Sequence, residues 1–232
     1  MKPVAFIILI FAVVFISCQP KIQELNIRKN QFSDQSGNWK VNLDFPVFSS
    51  PDPEVNKGCE ILNQQIRQFI KGKQDSLKAE ADEFSKSFKT DSLSRPNWIY
   101  TLNVTDSVFM ATSEYISVRF EVYSFTGGAH GATGFYAFNY DVKNRQLLKP
   151  AEILSYKDSD AINRSLKAHF KNPEHCFTTE PTLDLVTAIN FTPRNVCFTF
   201  AQYTLGAYVC GAAEITVPKT ELTESFLLRN AK

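Results

Sequence analysis

His130 is the residue of this chain best suited to chemistry. It stands in Phe125-Thr126-Gly127-Gly128-Ala129-His130-Gly131-Ala132-Thr133-Gly134, where four glycines fall within eight residues. Imidazole titrates near neutrality, so a histidine at such a tip can serve as a general base or a ligand. A base needs a partner, and no nucleophile motif of the G-x-S-x-G kind lies nearby. The reading favoured here is structural: a ring that hydrogen-bonds across its own loop. The glycines call for positive φ or a close backbone approach, and the free N–H groups of 127–131 could also form an anion-binding nest.

Other chemistries find less support. The three histidines are His130, His169 and His175, and the last two stand six apart beside Cys176, which does not put both rings on one helical face. No metal and no cofactor is therefore expected. The 24 acidic residues nominate no pair for glycoside hydrolysis. Aromatics are more telling: Tyr123, Phe125, Tyr136, Tyr203 and Tyr208 lie near the glycine loop or near Gly206 and Gly211. Exposed tyrosines beside glycine-rich loops suit glycan or protein recognition. The candidate ligand-binding set is Tyr123, Gly127, Gly128, His130, Gly131, Tyr203 and Tyr208; no catalytic residue is assigned.

The N-terminus reads as an export signal: Lys2, then thirteen apolar residues over 4–16, too few for a membrane span of about 20 residues. Phe15-Ile16-Ser17-Cys18 resembles the lipobox of bacterial lipoproteins, with Cys18 as the acylated residue and Phe15 in place of the usual leucine. The expectation is a lipoprotein signal peptide over 1–17 and a lipid anchor on a membrane of the bacterial envelope, periplasmic or outer-membrane associated. Lys2 is the one charge in that segment, so the 25 basic residues fall to 24 and balance the 24 acidic ones. Such a balance argues against nucleic-acid binding. Twenty phenylalanines and 44% hydrophobic residues suffice for a real core. Four further cysteines, Cys59, Cys176, Cys197 and Cys210, allow three disulfide pairings or four buried thiols, and spacing does not choose.

Several elements must position the loop. Residues 19–38 are polar and weakly patterned, and 18–37 is read as a tether. Val41, Leu43, Phe45 and Val47 alternate as a half-buried strand over 40–48. Asp52-Pro53-Glu54 starts a helix with Val55, Cys59, Leu62, Ile66 and Phe69 on one face, which Gly72 is expected to interrupt before a second piece over 75–89. Pro96 closes the helical region. Strands are predicted over 98–104 and 108–111, then a pair flanking the glycine loop, with Ile116, Val118, Phe120 and Val122 on one face and Tyr136, Phe138, Tyr140 and Val142 on one face of the return. A helix over 158–170 and strands over 183–191, 195–202 and 213–218 complete the chain, before a segment over 222–229. The fold class is α+β, an antiparallel β-sheet packed by helices. The division expected is a strand–helix lobe over 38–94 and an α+β lobe over 95–232, joined in one compact unit.

Two motifs carry a family resemblance. Tyr123-Ser124-Phe125-Thr126-Gly127-Gly128-Ala129-His130-Gly131 resembles the Y-x-Y-T-G-G-A-H signature of a domain of unknown function in extracytoplasmic bacterial proteins. Phe198-Thr199-Phe200-Ala201-Gln202-Tyr203, Ala207-Tyr208, Gly211 and Glu214-Ile215-Thr216-Val217-Pro218 resemble its second signature, and Asp52-Pro53-Glu54-Val55-Asn56-Lys57 the segment that precedes it. RsiV-type anti-sigma factors, whose outer half binds lysozyme, and PdaC-type peptidoglycan deacetylases carry this domain. No sigma-binding segment precedes the apolar stretch and no deacetylase domain follows Lys232, so neither role is expected. Cys210 replaces a small residue usual in the family, which leaves a branch-specific disulfide open. The resemblance implies a cell-envelope binding module for a peptidoglycan-related glycan or a lysozyme-like enzyme, held to the membrane by its lipid. The alternative is a cryptic wall hydrolase, or an enzyme associated with deacetylation, centred on His130.

Overall fold

The computed structural model describes residues 22–87 and 98–228. The signal segment, Cys18, the predicted helix end at residues 88–89, the stop at Pro96 and Arg229 lie outside the described residues. No helix among the described residues is long and apolar enough to cross a membrane.

Six strands form one sheet in the order β1-β2-β3-β4-β5-β6: β1 (Asn26–Gln35), β2 (Trp39–Ser49), β3 (Tyr100–Ala111), β4 (Tyr115–Phe125), β5 (Ala132–Asp141) and β6 (Gln146–Leu147). β1 corrects the expected tether. It pairs antiparallel with β2 along its whole length, but as an edge strand nearly all of its side chains stay exposed. A strand whose two faces both meet solvent shows no apolar alternation, which is why it reads as unstructured.

The helix α1 (Pro53–Ser87) runs unbroken through Gly72. Asp52 Oδ1 accepts hydrogen bonds from the N–H groups of Glu54 and Val55 and caps it. A Cβ at Gly72 would touch nothing, while Ile66, Ile70, Leu77 and Ala81 continue the buried stripe on either side. Packing thus outweighs the glycine penalty of about 1 kcal/mol. Because α1 crosses over between them, β2 and β3 pair in parallel, and the other pairs in the sheet are antiparallel. The two lobes expected, 38–94 and 95–232, therefore share one sheet through the β2–β3 pair. Likewise, 98–104 and 108–111 are one strand, β3, with an irregularity between Val108 and Met110.

A second sheet, β7 (Ala188–Phe191), β8 (Asn195–Phe200) and β9 (Ala213–Pro218), is antiparallel throughout. The predicted strand over 183–191 splits into a 3-10 turn, Leu183–Leu185, and β7. A short helix α2 (Pro150–Ile153) precedes α3 (Ser159–His169), whose Ile162 and Leu166 join Phe191, Phe198 and Phe200 in the second core. The first core lies between α1 and the large sheet, where Cys59, Leu62 and Ile66 meet Ile116, Val118, Phe120 and Val122.

The other face of β4 meets the small sheet through polar groups. Ser117 Oγ donates to Asn139 Oδ1 at 2.6 Å and accepts from Asn190 Nδ2 and the Phe191 N–H, while Asn139 Nδ2 donates to the Ile189 carbonyl. All five residues are buried.

Candidate functional site

The β4–β5 loop and the segment joining β8 to β9, residues 201–212, meet and bring His130 and Gly131 against Tyr203 and Tyr208. Gly127 and Gly128 hold positive φ, 103° and 91°. A Cβ on Gly127 would also come within 2.4 Å of the Trp98 ring. Gly131 is buried against the Tyr123 ring, where a Cβ would come within 2.5 Å, so Tyr123 braces the loop from behind. Here the glycine signature is explained by space as much as by φ.

His130 is exposed at the tip, and both ring nitrogens are engaged. Nδ1 lies 3.0 Å from the Gly131 carbonyl, which can only accept, so Nδ1 carries the proton. Nε2 of the neutral ring then accepts from the Tyr203 hydroxyl at 3.1 Å. The Tyr208 hydroxyl donates to the same Gly131 carbonyl at 3.2 Å, and its ring stacks on His130 with centroids 4.0 Å apart at 19°. Tyr203 completes a three-ring cluster, 5.5 Å from Tyr208. Its φ of 68° is the left-handed region, and the side chain is 62% exposed. A bulky residue held there at a cost of about 1 kcal/mol points to a positional demand.

A disulfide secures the second loop. Cys176 and Cys210 are bonded, and Phe177 bridges Gly206 while the Thr178 and Thr179 N–H groups donate to the Leu205 carbonyl. Cys59 and Cys197 are buried free thiols, and burial pushes Cys59 up to about 11. Such thiols stay protonated and inert. His169 faces Glu221 and Cys176 is consumed by its disulfide, so the His169, His175, Cys176 set does not converge on a metal. Tyr136 also leaves the cluster: it lies on the α1 side, where Lys73 Nζ donates to its hydroxyl.

Beside the ring cluster opens a cleft of about 250 Å³, lined by Arg119, Glu121, Thr133, Phe135, Gln202 and Glu214 among others. Arg119 comes from β4, two residues beyond Ser117, and its side chain is 9% exposed. The guanidinium Cζ lies 5.3 Å from the ring centroids of both Phe109 and Phe135. Its Nη1 donates to Thr199 Oγ1 and Glu214 Oε2, both at 2.6 Å. Sequence reasoning missed this residue, since an arginine opposite an apolar stripe reads as part of a solvated face.

Residues 32–133 match the family model described as deacetylase PdaC, from β1 through the glycine loop. The chain carries a PdaC-like domain. Two solved structures share its fold. A DUF3298 family member from Bacteroides fragilis NCTC 9343 superposes with a TM-score of 0.65 at 15% identity, over 89% of this chain and 95% of that one. A DUF3298 family protein from Pseudomonas aeruginosa PAO1 gives 0.61 at 16%, over 87% and 94%. No curated protein matches the chain in sequence. The PdaC-like domain is of unknown function, and the DUF3298 likeness extends its α+β fold over the small sheet as well.

Proposed function

We propose that this protein is an envelope module, anchored through Cys18, that binds a wall-related glycan on the ring cluster of His130, Tyr203 and Tyr208. The observation that supports this reading is the exposed Tyr203 beside the stacked His130–Tyr208 pair. Flat aromatic faces offer apolar area to the C–H face of a sugar, and tyrosine hydroxyls and loop amides supply polar contacts at low entropic cost. The hydrogen bonds on both nitrogens of His130 speak for a fixed ring and against a base awaiting a substrate proton. The test is a titration of the full-length protein in detergent with the tetrasaccharide of N-acetylglucosamine. Saturable binding by wild type that Tyr203→Ala abolishes supports the reading, and equal binding by both sinks it.

A lysozyme-like enzyme is the second reading. Val209, beside Tyr208, is 88% exposed. An apolar side chain so placed next to aromatic residues suits a protein interface. Titration with lysozyme separates the readings: binding to lysozyme but not to the sugar, lost in Val209→Asp, favours the enzyme partner.

A further inference from the structure

We propose that β1 is the pairing surface for a second copy of this chain, joining the two six-stranded sheets into one across a two-fold axis at Gln31. This pairing is independent of the glycan reading. The Ser36 N–H donates to the Trp39 carbonyl, and the β1–β2 register runs without a shift from that turn to Asn26 and Ser49. Hydrogen-bonded pairs alternate along such a ladder, so the even-numbered residues of β1 point their N–H and C=O groups at β2. β2 agrees with this alternation, since Phe48, opposite Ile27, turns its N–H and carbonyl to Asn63 instead. Ile27, Lys29, Gln31, Ser33 and Gln35 therefore direct their backbone groups outward, where they meet no partner among the described residues.

An open edge of this length is normally guarded by a proline, a bulge or a lysine. β1 has no proline and no bulge, and its one lysine, Lys29, folds back on Asp44 and Asp106 of its own sheet. Ile27 and Phe32 are each 45% exposed along it. Charge identifies the occupant. Arg28 is exposed and has no polar partner among the described residues. Asp34 binds Lys78 through Oδ2, its Oδ1 is unused, and 41% of its side chain is exposed. Antiparallel pairing of β1 with its own copy, centred on Gln31, sets Gln31 against Gln31, Lys29 against Ser33 and Ile27 against Gln35. Every outward residue then faces another outward residue. The same register sets Arg28 against Asp34 of the second copy, twice by symmetry, in a non-hydrogen-bonded pair with Cα atoms about 4.5 Å apart. The two Phe32 rings become diagonal neighbours. Moving the axis to Asn30 leaves Gln35 unpaired and sets Arg28 against Phe32. Moving it to Phe32 leaves Ile27 unpaired and sets Arg28 against Ser36. Backbone and charge thus select the same register, and a copy of this strand supplies it.

The test is sedimentation of the full-length protein in detergent, with variants that read the register. Wild type should sediment as a dimer. Gln31→Cys should cross-link to its own copy under a mild oxidant, because a hydrogen-bonded pair brings the Cα atoms to about 5.5 Å. Ser33→Cys should stay uncross-linked, as wild type does, because its copy lies about 13 Å away along the strand. Arg28→Asp and Asp34→Arg should each shift the protein towards monomer, and the two together should restore the dimer. Gln31→Pro removes an N–H that β2 does not use, so it should yield a monomer with the β-sheet circular dichroism of wild type. A wild-type monomer overturns the proposal, whether the outward amides of β1 exchange freely or are protected by another segment of this chain. A dimer that persists in Gln31→Pro overturns it as well. So does cross-linking of Ser33→Cys as fast as Gln31→Cys, which would place a different register or a different surface at the contact.

Discussion

Two positions on one face of β4, Ser117 and Arg119, stand two residues apart and reach the small sheet with different chemistry, one with a neutral hydroxyl and the other with a buried charge. Ser117 spends its hydroxyl on three partners, one as donor and two as acceptor, and ties the small sheet to the large one. The acceptor left over in that seam, Asn190 Oδ1, is sealed in a residue with no exposure. Arg119 likewise leaves Nε sealed without a partner, while its Nη1 donates to Thr199 and Glu214 at the wall of a cleft. A sealed orphan is a cost of packing, and each of the two positions carries one beside the contacts it makes. The Ser117 seam and the Arg119–Glu214 pair therefore both hold the small sheet to the large one.

Breaking the seam should have the largest effect. Ser117→Ala strands Asn190 Nδ2, the Phe191 N–H and Asn139 Oδ1 together, and should cost about 3–4 kcal/mol of unfolding free energy. Chemical denaturation would read this directly, and a loss below about 1 kcal/mol would mean the seam is not structural. Next comes Cys210→Ser, which opens a loop closed across a separation of 34 residues. It should cost about 3 kcal/mol, with a matching fall in melting temperature when the wild type is reduced. Gly131→Ala drives a methyl into the Tyr123 ring and should cost about 2 kcal/mol.

The legible parts of this structure are those with local patterns. Ile116, Val118, Phe120 and Val122 alternate because α1 covers one face of β4, and the stripe from Cys59 to Ile66 marks the helix that covers it. The glycine loop is readable because Gly127 and Gly131 have no substitute at their positions. Tyr203 and Tyr208 were nominated by their neighbours in sequence, and the second loop folds back to bring them to His130. What a sequence does not show is the partner of a polar face. β1 is polar on both sides as an edge, and Ser117 and Arg119 are polar because a second sheet arrives from 73 to 80 residues away. The Cys176–Cys210 pairing is equally a product of long-range folding, since each of the three pairings was open at the level of spacing.

Smaller effects sharpen the contrast between core and rim. Cys59 has a thiol pushed up from 9.0 to about 11 by burial. The unfolded chain releases that proton first, so the stability contributed by the neutral thiol is present below about pH 9 and lost as pH rises towards 11. A denaturation series across that window should show a decline that Cys59→Ala flattens, and identical slopes for both proteins would refute the assignment. Tyr203→Ala should have the smallest effect on stability, within about 0.5 kcal/mol, since its side chain lies mostly in solvent. A larger loss would make Tyr203 part of the scaffold and not of the binding surface.

The proposed glycan platform depends on that exposed tyrosine. Titrating full-length wild type and Tyr203→Ala with the N-acetylglucosamine tetrasaccharide tests it most directly, with melting curves run on the same samples. The expected result is saturable binding by wild type, its loss in the variant, and superimposable melting. Binding of equal strength by both proteins, or by neither, would contradict the assignment of the ring cluster as a glycan platform.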